Sequence, residues 1–255
     1  MANPSTGRFC WHELMTTDAV AATKFYKELF GWTVDEMPMG PEGKYLLWKQ
    51  GDIGVGGAMQ APPGCPSAWL VYVSIEDADA SAAAATKLGG KIEVPPTTVP
   101  DMLRFSLAMD PDGAAIGLMQ PMGPGASQVP YDGPTRPGTF VWDELHTRDM
   151  DAAKKFYAGM FGWGGKLGEG EMKYWHWSHG GKDIGGMMNL MGGPNVPPHW
   201  LGYIAVSDVD AMTKKVETLG GKVMMPAMDM PKVGKFSVVQ DPTGAVFALF
   251  RSARV

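Results

Sequence analysis

Cysteine is scarce in this chain: Cys10 and Cys65 are the only two among 255 residues, too few for a disulfide framework or a cysteine-based zinc cluster. Long apolar runs are missing as well. No segment approaches the length of a membrane span, and Met1 to Gly7 is polar and unlike a signal peptide, so a cytoplasmic protein with no membrane partner is expected. Basic charge is short, with 22 Lys and Arg against 27 Asp and Glu. Without a basic stripe to meet a phosphate backbone, nucleic acid is not an expected partner. The glycines of GDIGVGG match neither a phosphate loop nor a dinucleotide fingerprint and instead permit a bend in a strand. No Ser-His-Asp or Cys-His arrangement is legible. His12 followed by Glu13 does not open a zinc-protease helix, because Thr16 stands where the second His belongs.

What the chain does have is itself, twice. Trp11, Asp18, Phe25, Gly31 and Trp32 return as Trp142, Asp149, Phe156, Gly162 and Trp163, each pair 131 residues apart. The same offset carries Gly89, Pro100, Asp110 and Gly113 onto Gly220, Pro231, Asp241 and Gly244, with one small length change inside the repeat. A unit this long is a domain and not a solenoid repeat. The cysteines fall outside the pattern, since Val141 and Val196 stand at their counterparts. The Pro/Gly-rich stretch GPGASQVPYDGPTRP reads as a linker over 123–137, which leaves domains at 1–122 and 138–255. Any chemistry built on repeated positions should occur in both halves, and chemistry present in one half stands out as an asymmetry.

Each half carries two helix patterns. TTDAVAATKFYKELFG puts Ala22, Phe25, Tyr26, Leu29 and Phe30 on one face, with Asp18 or Thr17 as N-cap and Gly31 as stop; its copy is TRDMDAAKKFYAGMFG. EDADASAAAATKLGG and SDVDAMTKKVETLGG open on acidic caps and end at glycine pairs. A strand-like run precedes each helix (RFCWHEL, WLVYVSI, TFVWDEL, WLGYIAV), and runs such as KYLLWKQ, LRFSLAM and AIGLMQ follow. This rhythm of strand, helix and meander, four times over, predicts an α+β class with helices covering one face of curved sheets.

The segments FYKELFGW, KLGGKI and DPDGAAIGLMQP, the last with its copy DPTGAVFALF, resemble the vicinal oxygen chelate superfamily of glyoxalase I, bleomycin-resistance proteins and extradiol dioxygenases. The resemblance covers all four modules. It implies four βαβββ modules forming two glyoxalase-like domains, whose cup-shaped sheets hold a small molecule, and it leaves open whether modules pair within a half or across halves. In metal-using members the cup floor carries a divalent ion held by His, Gln or Glu from the first and last strands of the modules. At the matching positions this chain has Trp11, Leu70 and Gly117 in one half and Trp142, Leu201 and Ala248 in the other. The remaining position falls within IGVGGAM or IGGMMN, where the amide of Asn189 is the one weak donor. Such side chains offer no strong lone pair to a cation, so no metal and no other cofactor is expected.

Period-two alternation along the first strands puts Phe9, Trp11, Glu13 and Met15 on one face, and Phe140, Trp142, Glu144 and His146 on its copy. Tyr72 and Tyr203 share a face with Leu70 and Leu201, and the small Gly117 and Ala248 leave room opposite them for a flat molecule. A ligand-binding set of Trp11, Glu13, Tyr72, Trp142, Glu144 and Tyr203 results: aromatic walls with a carboxylate at the edge. The bland alternative has the aromatics filling the cups as core and each Glu neutralised by a neighbour. None of the five histidines is repeated at the 131 offset. Glu144, His146 and His199 could form a His/His/Glu metal site in the second half alone, against the blander reading of rim histidines.

Three functions stay open. The first is metal-independent binding of a small, aromatic or planar molecule, of the sequestering kind found among bleomycin-resistance proteins. The second is a lyase, isomerase or dioxygenase of the same superfamily, with Glu13 or Glu144 as general base or with a displaced metal site. The third is an interaction protein with closed cups. Fold alone does not choose among them, and the oligomeric state is not legible.

Overall fold

The computed structural model describes residues 6–39, 43–123, 136–169, 173–191, 193 and 195–253. The chain runs through four βαβββ modules in succession. The first is β1 (Phe9–Thr16), α1 (Ala19–Phe30), β2 (Thr33–Pro38), β3 (Lys44–Gln50) and β4 (Ile53–Gln60). The second is β5 (Ala68–Ser74), α2 (Ala78–Lys87), β6 (Lys91–Val99), β7 (Leu103–Met109) and β8 (Ala115–Pro121). The third is β9 (Phe140–Thr147), α3 (Met150–Phe161), β10 (Gly164–Leu167), β11 (Tyr174–His179) and β12 (Lys182–Asn189). The fourth is β13 (His199–Ala205), α4 (Val209–Thr218), β14 (Lys222–Met230), β15 (Gly234–Gln240) and β16 (Val246–Ser252). Apart from its ends at 123, 136 and 137, the stretch read as a linker lies outside the described residues.

The helices begin and end where the caps dictate. Asp18, Asp77, Asp149 and Asp208 each accept from backbone N–H groups of the first turn, satisfying donors that would otherwise be orphaned. Gly31 and Gly162 close α1 and α3 at φ of 75° and 67°, a left-handed conformation that glycine adopts without penalty. The buried face of α1 is Ala22, Phe25, Tyr26 and Leu29, and that of α3 is Ala153, Phe156, Tyr157 and Phe161.

Two open eight-stranded sheets result, in the order β2-β3-β4-β1-β5-β8-β7-β6 and β10-β11-β12-β9-β13-β16-β15-β14. Each sheet thus follows one half of the sequence. Within a module the first strand runs parallel to the last, with Glu13 beside Gly57, Tyr72 beside Gly117, Glu144 beside Gly186 and Tyr203 beside Ala248.

Packing on the helix side groups the modules differently. One compact unit holds the second and third modules, and the other holds the first and fourth; the division passes through the first strands, after Trp11 and Leu70 and around Trp142 and Trp200. In the first unit Val71, Val73, Ile116 and Leu118 pack with Phe156, Tyr157, Trp163, Trp177 and Trp200. A polar clasp runs through that core. Asp110 of the DPDG turn accepts from the N–H groups of Asp112, Gly113 and Ala114 at 2.9, 2.8 and 2.9 Å and from Tyr157 Oη at 3.0 Å, while Trp200 Nε1 donates to the same Oη at 3.0 Å. Burial pushes the Asp110 carboxyl up from its ordinary value, against the pull of those donors.

The second unit repeats the clasp. Asp241 accepts from the N–H groups of Thr243, Gly244 and Ala245 and, at 2.9 Å, from Tyr26 Oη, which in turn accepts from Trp69 Nε1 at 2.9 Å. Burial drives both tyrosine hydroxyls well above their usual range, so each donates as a neutral phenol. The alternation expected along the first strands breaks at their first residues. Phe9 packs in the first unit's core against Trp163 and Trp200, with centroids 5.0 and 5.3 Å apart, and Phe140 stacks on His12 at 3.6 Å in the second unit. Contact with a large aromatic cluster outweighs the pleat at a strand end, where the ladder holds the backbone least. Cys10 and Cys65 are both free, the former buried and its thiol pushed up by burial.

Candidate functional site

In the third module, β9 and β11 bring a chain of hydrogen bonds onto one face. Trp142 Nε1 donates to Tyr174 Oη at 2.9 Å, and that hydroxyl donates to the Glu144 carboxylate. His146, two residues further along β9, places Nε2 at 2.8 Å from Glu144 Oε1. A carboxylate only accepts, so Nε2 carries a proton, and in the neutral ring Nδ1 is the acceptor. Both side chains are largely enclosed, with 7 % of Glu144 and 12 % of His146 exposed. His199, at the start of β13, stacks on His146 with centroids 4.8 Å apart and planes 14° apart, and its Nδ1 donates to Pro197 O at 2.9 Å. Burial lowers the His199 pKa, favouring the neutral ring. His176 completes the face, its ring 5.0 Å from Tyr174 and 6.3 Å from Trp142.

Gly186 makes this arrangement possible. It lies beside Glu144 in the parallel ladder, and any Cβ there would overlap the Tyr174 hydroxyl. In the first module Gly57 lies beside Glu13, and a Cβ on it would overlap Tyr45 Oη in the same way. The Trp-Tyr-Glu set is therefore duplicated in sequence as Trp11, Tyr45 and Glu13. The histidines are not: Met15, Leu47 and Ala68 stand at the counterparts of His146, His176 and His199.

Tyr174, Tyr45 and His176 were not singled out from sequence. The repeat contained the signal, since Tyr45 and Gly57 return as Tyr174 and Gly186 at an offset of 129, once the short length change has been crossed. Tyr72 and Tyr203 are buried to 4 % and 6 % exposure. The room expected above Gly117 is taken: a Cβ on Gly117 would run into the ring of Tyr72, which covers it. Tyr203 lies beside Ala248 with its ring 6.2 Å from Phe236. A glycine next to a tyrosine on the neighbouring strand is filled by that ring, as close packing demands.

The family model for the Glyoxalase/Bleomycin resistance protein/Dioxygenase superfamily matches residues 8–118 and 139–249. The chain belongs to this superfamily. It is 36 % identical over 255 residues to CFP32 of Mycobacterium tuberculosis, a protein with glyoxylase in its name, covering 95 % of this chain and 94 % of the relative. It is 35 % identical over 130 residues to the anthracycline biosynthesis protein DnrV of Streptomyces peucetius, covering 45 % of this chain and 47 % of that one. Among solved structures, the Mn(II)-bound glyoxalase of Novosphingobium aromaticivorans superposes with a TM-score of 0.65 at 15 % identity, over 96 % of this chain and 82 % of the other. The 2,3-dioxygenase LapB of Pseudomonas sp. KL28 gives 0.64 at 14 %, over 98 % and 93 %. At such identities these two structures establish the shared fold.

Strand register identifies the one metal-ligand position that the sequence left unassigned. Tyr72, two residues after Leu70, lies beside Gly117; Glu13, two residues after Trp11, lies beside Gly57, and Glu144 beside Gly186. The family's metal positions in the two sheets are then Trp11, Gly57, Leu70 and Gly117, and Trp142, Gly186, Leu201 and Ala248. None of these side chains donates a lone pair to a hard or borderline cation, and tyrosines cover Gly57, Gly117 and Gly186. The residues present do not fit the family's metal. The displaced set expected as an alternative is brought together in part: Glu144 meets His146, and His146 meets His199. Nearly parallel stacked rings aim their in-plane lone pairs side by side and not at one point. Among the described residues no group of three or more His, Cys, Asp and Glu side chains is arranged to hold a metal ion. No helix among them is long and apolar enough to cross a membrane.

Proposed function

We propose that this superfamily member binds a small planar organic molecule without the family's metal, against the aromatic face of the third module. The observation that carries the reading is the Trp142-Tyr174-Glu144 chain, which presents an indole, a phenol and a carboxylate together beside strand positions that lack metal donors. A planar ligand on indole gains about 0.5–1.5 kcal/mol beyond its area burial, enough to orient it. Glu144, through its partners Tyr174 and His146, sets the polar character of the edge the ligand meets. Trp11, Glu13 and Tyr45 offer the same residue types at the repeated positions, with Tyr72 and Tyr203 as further aromatic candidates. A flat aromatic ligand class is in keeping with the relative named for anthracycline biosynthesis, since anthracyclines are built on a flat anthraquinone core. A net charge of -5 and two unpaired cysteines suit a small-molecule partner and a cytoplasmic setting.

An enzyme reading has one specific observation in its favour, the Glu144-His146 contact of 2.8 Å, which is the geometry of an acid-base pair. Tryptophan fluorescence tests binding, with a panel of planar aromatics titrated into wild type, Trp11→Ala and Trp142→Ala after circular dichroism has confirmed their folds. Loss of affinity in Trp142→Ala supports the proposal. A ligand held equally by both variants and wild type overturns it, and turnover of glutathione hemithioacetal replaces capture with catalysis.

A further inference from the structure

We infer that the ligand of the third-module site is a weak acid, a planar molecule with an acidic hydroxyl, and that His146 takes its proton. The inference rests on the planar-ligand reading and adds the chemistry that selects the molecule. It comes from the asymmetry between the halves. Trp, Tyr and Glu recur at the matching positions, whereas His146 replaces a methionine, His176 a leucine and His199 an alanine. These three differences give the third-module face imidazoles that its first-module counterpart lacks.

The geometry assigns the roles. Glu144 holds His146 Nε2–H at 2.8 Å, and in the neutral ring Nδ1 is then the proton acceptor. When the ligand binds, its O–H bond breaks, the electron pair stays on oxygen, and the proton forms an N–H bond at Nδ1. The resulting imidazolium lies between the Glu144 carboxylate, which offsets its charge, and the ring of His199, which adds none while it stays neutral. The other titratable groups on the elements around it are Asp143 of β9, Tyr174, His176 and His179 of β11, Lys182 and Asp183 of β12, and Tyr203 of β13. Tyr174 Oη is committed to Glu144, and the Asp183 carboxylate lies 4.0 Å from His176 Nδ1. Glu144 is thus a positioning residue and His146 the residue that meets the ligand.

The test uses the full chain and two probes. 4-Nitrophenol has distinct absorbance bands for its phenol and phenolate forms; 4-nitroanisole has the same ring and no acidic proton. Below the ionisation of the free probe, wild type is expected to bind 4-nitrophenol with the phenolate band. His146→Met, which restores the first-half residue, should lose that band and bind about tenfold more weakly, the worth of one charge-assisted hydrogen bond. His146→Gln serves as a second variant should methionine disturb the fold, and 4-nitroanisole should bind wild type and variants alike. A phenolate band that survives in both variants, or nitrophenol bound by wild type as the phenol, overturns the inference while leaving planar capture standing. Failure of wild type to bind either probe overturns both.

Discussion

The helix side and the strand-face site of this molecule have kept the duplication to very different degrees. On the helix side, Tyr26-Trp69-Asp241 and Tyr157-Trp200-Asp110 match bond for bond, with every tyrosine and tryptophan contact at 2.9 or 3.0 Å. Along the first and third strands of the modules, Trp, Tyr and Glu persist while Met15, Leu47 and Ala68 give way to His146, His176 and His199. The clasps are under a packing constraint: a buried carboxylate, phenol and indole must all stay paired or all be lost together. The positions of His146, His176 and His199 lie outside any such clasp, and one copy carries polar chemistry there that the other lacks. What differs marks the chemistry peculiar to the third-module face.

The clasps should break alike. Asp110→Ala and Asp241→Ala each strand two backbone N–H groups and a tyrosine hydroxyl, since Gly113 and Gly244 keep a bond to the main-chain carbonyl of the substituted residue, and each is expected to cost about 3 kcal/mol. Urea unfolding followed by circular dichroism checks this. Costs that differ by more than about 1 kcal/mol would mean that the matched geometry hides unequal energetics.

Next in size are the glycines beneath the tyrosines. Gly57→Ala and Gly186→Ala force Tyr45 or Tyr174 aside, with an expected loss of roughly 1–3 kcal/mol from overpacking. Gly186→Ala should also weaken binding of a planar probe, because it dismantles the Trp142-Tyr174-Glu144 chain. Fluorescence titration separates the two: a probe bound as tightly as by wild type would detach Tyr174 from the site.

A smaller effect concerns acid. The His199 pKa is lowered in the folded state, chiefly by burial, so its contribution to stability is present above the unfolded value of about 6.5 and is lost as pH falls through the folded one. His199→Ala, which copies Ala68, should flatten the decline in melting temperature between neutral and mildly acidic pH. An unchanged pH profile would contradict a buried neutral ring. Smallest of all are the exposed pairs Arg104-Asp79 and Lys235-Asp210, which occupy matching positions. Arg104→Gln and Lys235→Gln are expected to leave the unfolding midpoint within error, as solvent-screened pairs do.

Much of this was legible in the sequence. The aspartate caps, Gly31 and Gly162, and the DPDG and DPTG turns each carry a local physical signature, and the repeat supplied each twice. The pairing of modules was not, because sheet ladders follow the halves while the helix-side cores join the second module to the third and the first to the fourth. Those contacts depend on aromatics such as Trp163 and Trp200, whose partners lie far away in sequence. The Trp-Glu face was half legible. Alternation placed Trp142, Glu144 and His146 together, but Tyr174 reaches them from β11 across Gly186, a long-range crossing with no local period. The same blindness made Gly117 read as room when the ring of Tyr72 fills it.

The most direct measurement is the metal content of the full-length protein, purified without a histidine tag, dialysed and analysed by inductively coupled plasma mass spectrometry. With Trp142, Gly186, Leu201 and Ala248 at the family's ligand positions, the protein should hold far less than one divalent ion per chain. Zinc, nickel, iron or manganese near one per chain, lost in Glu144→Ala or His146→Ala, would contradict a metal-free site and make the third-module histidines ligands.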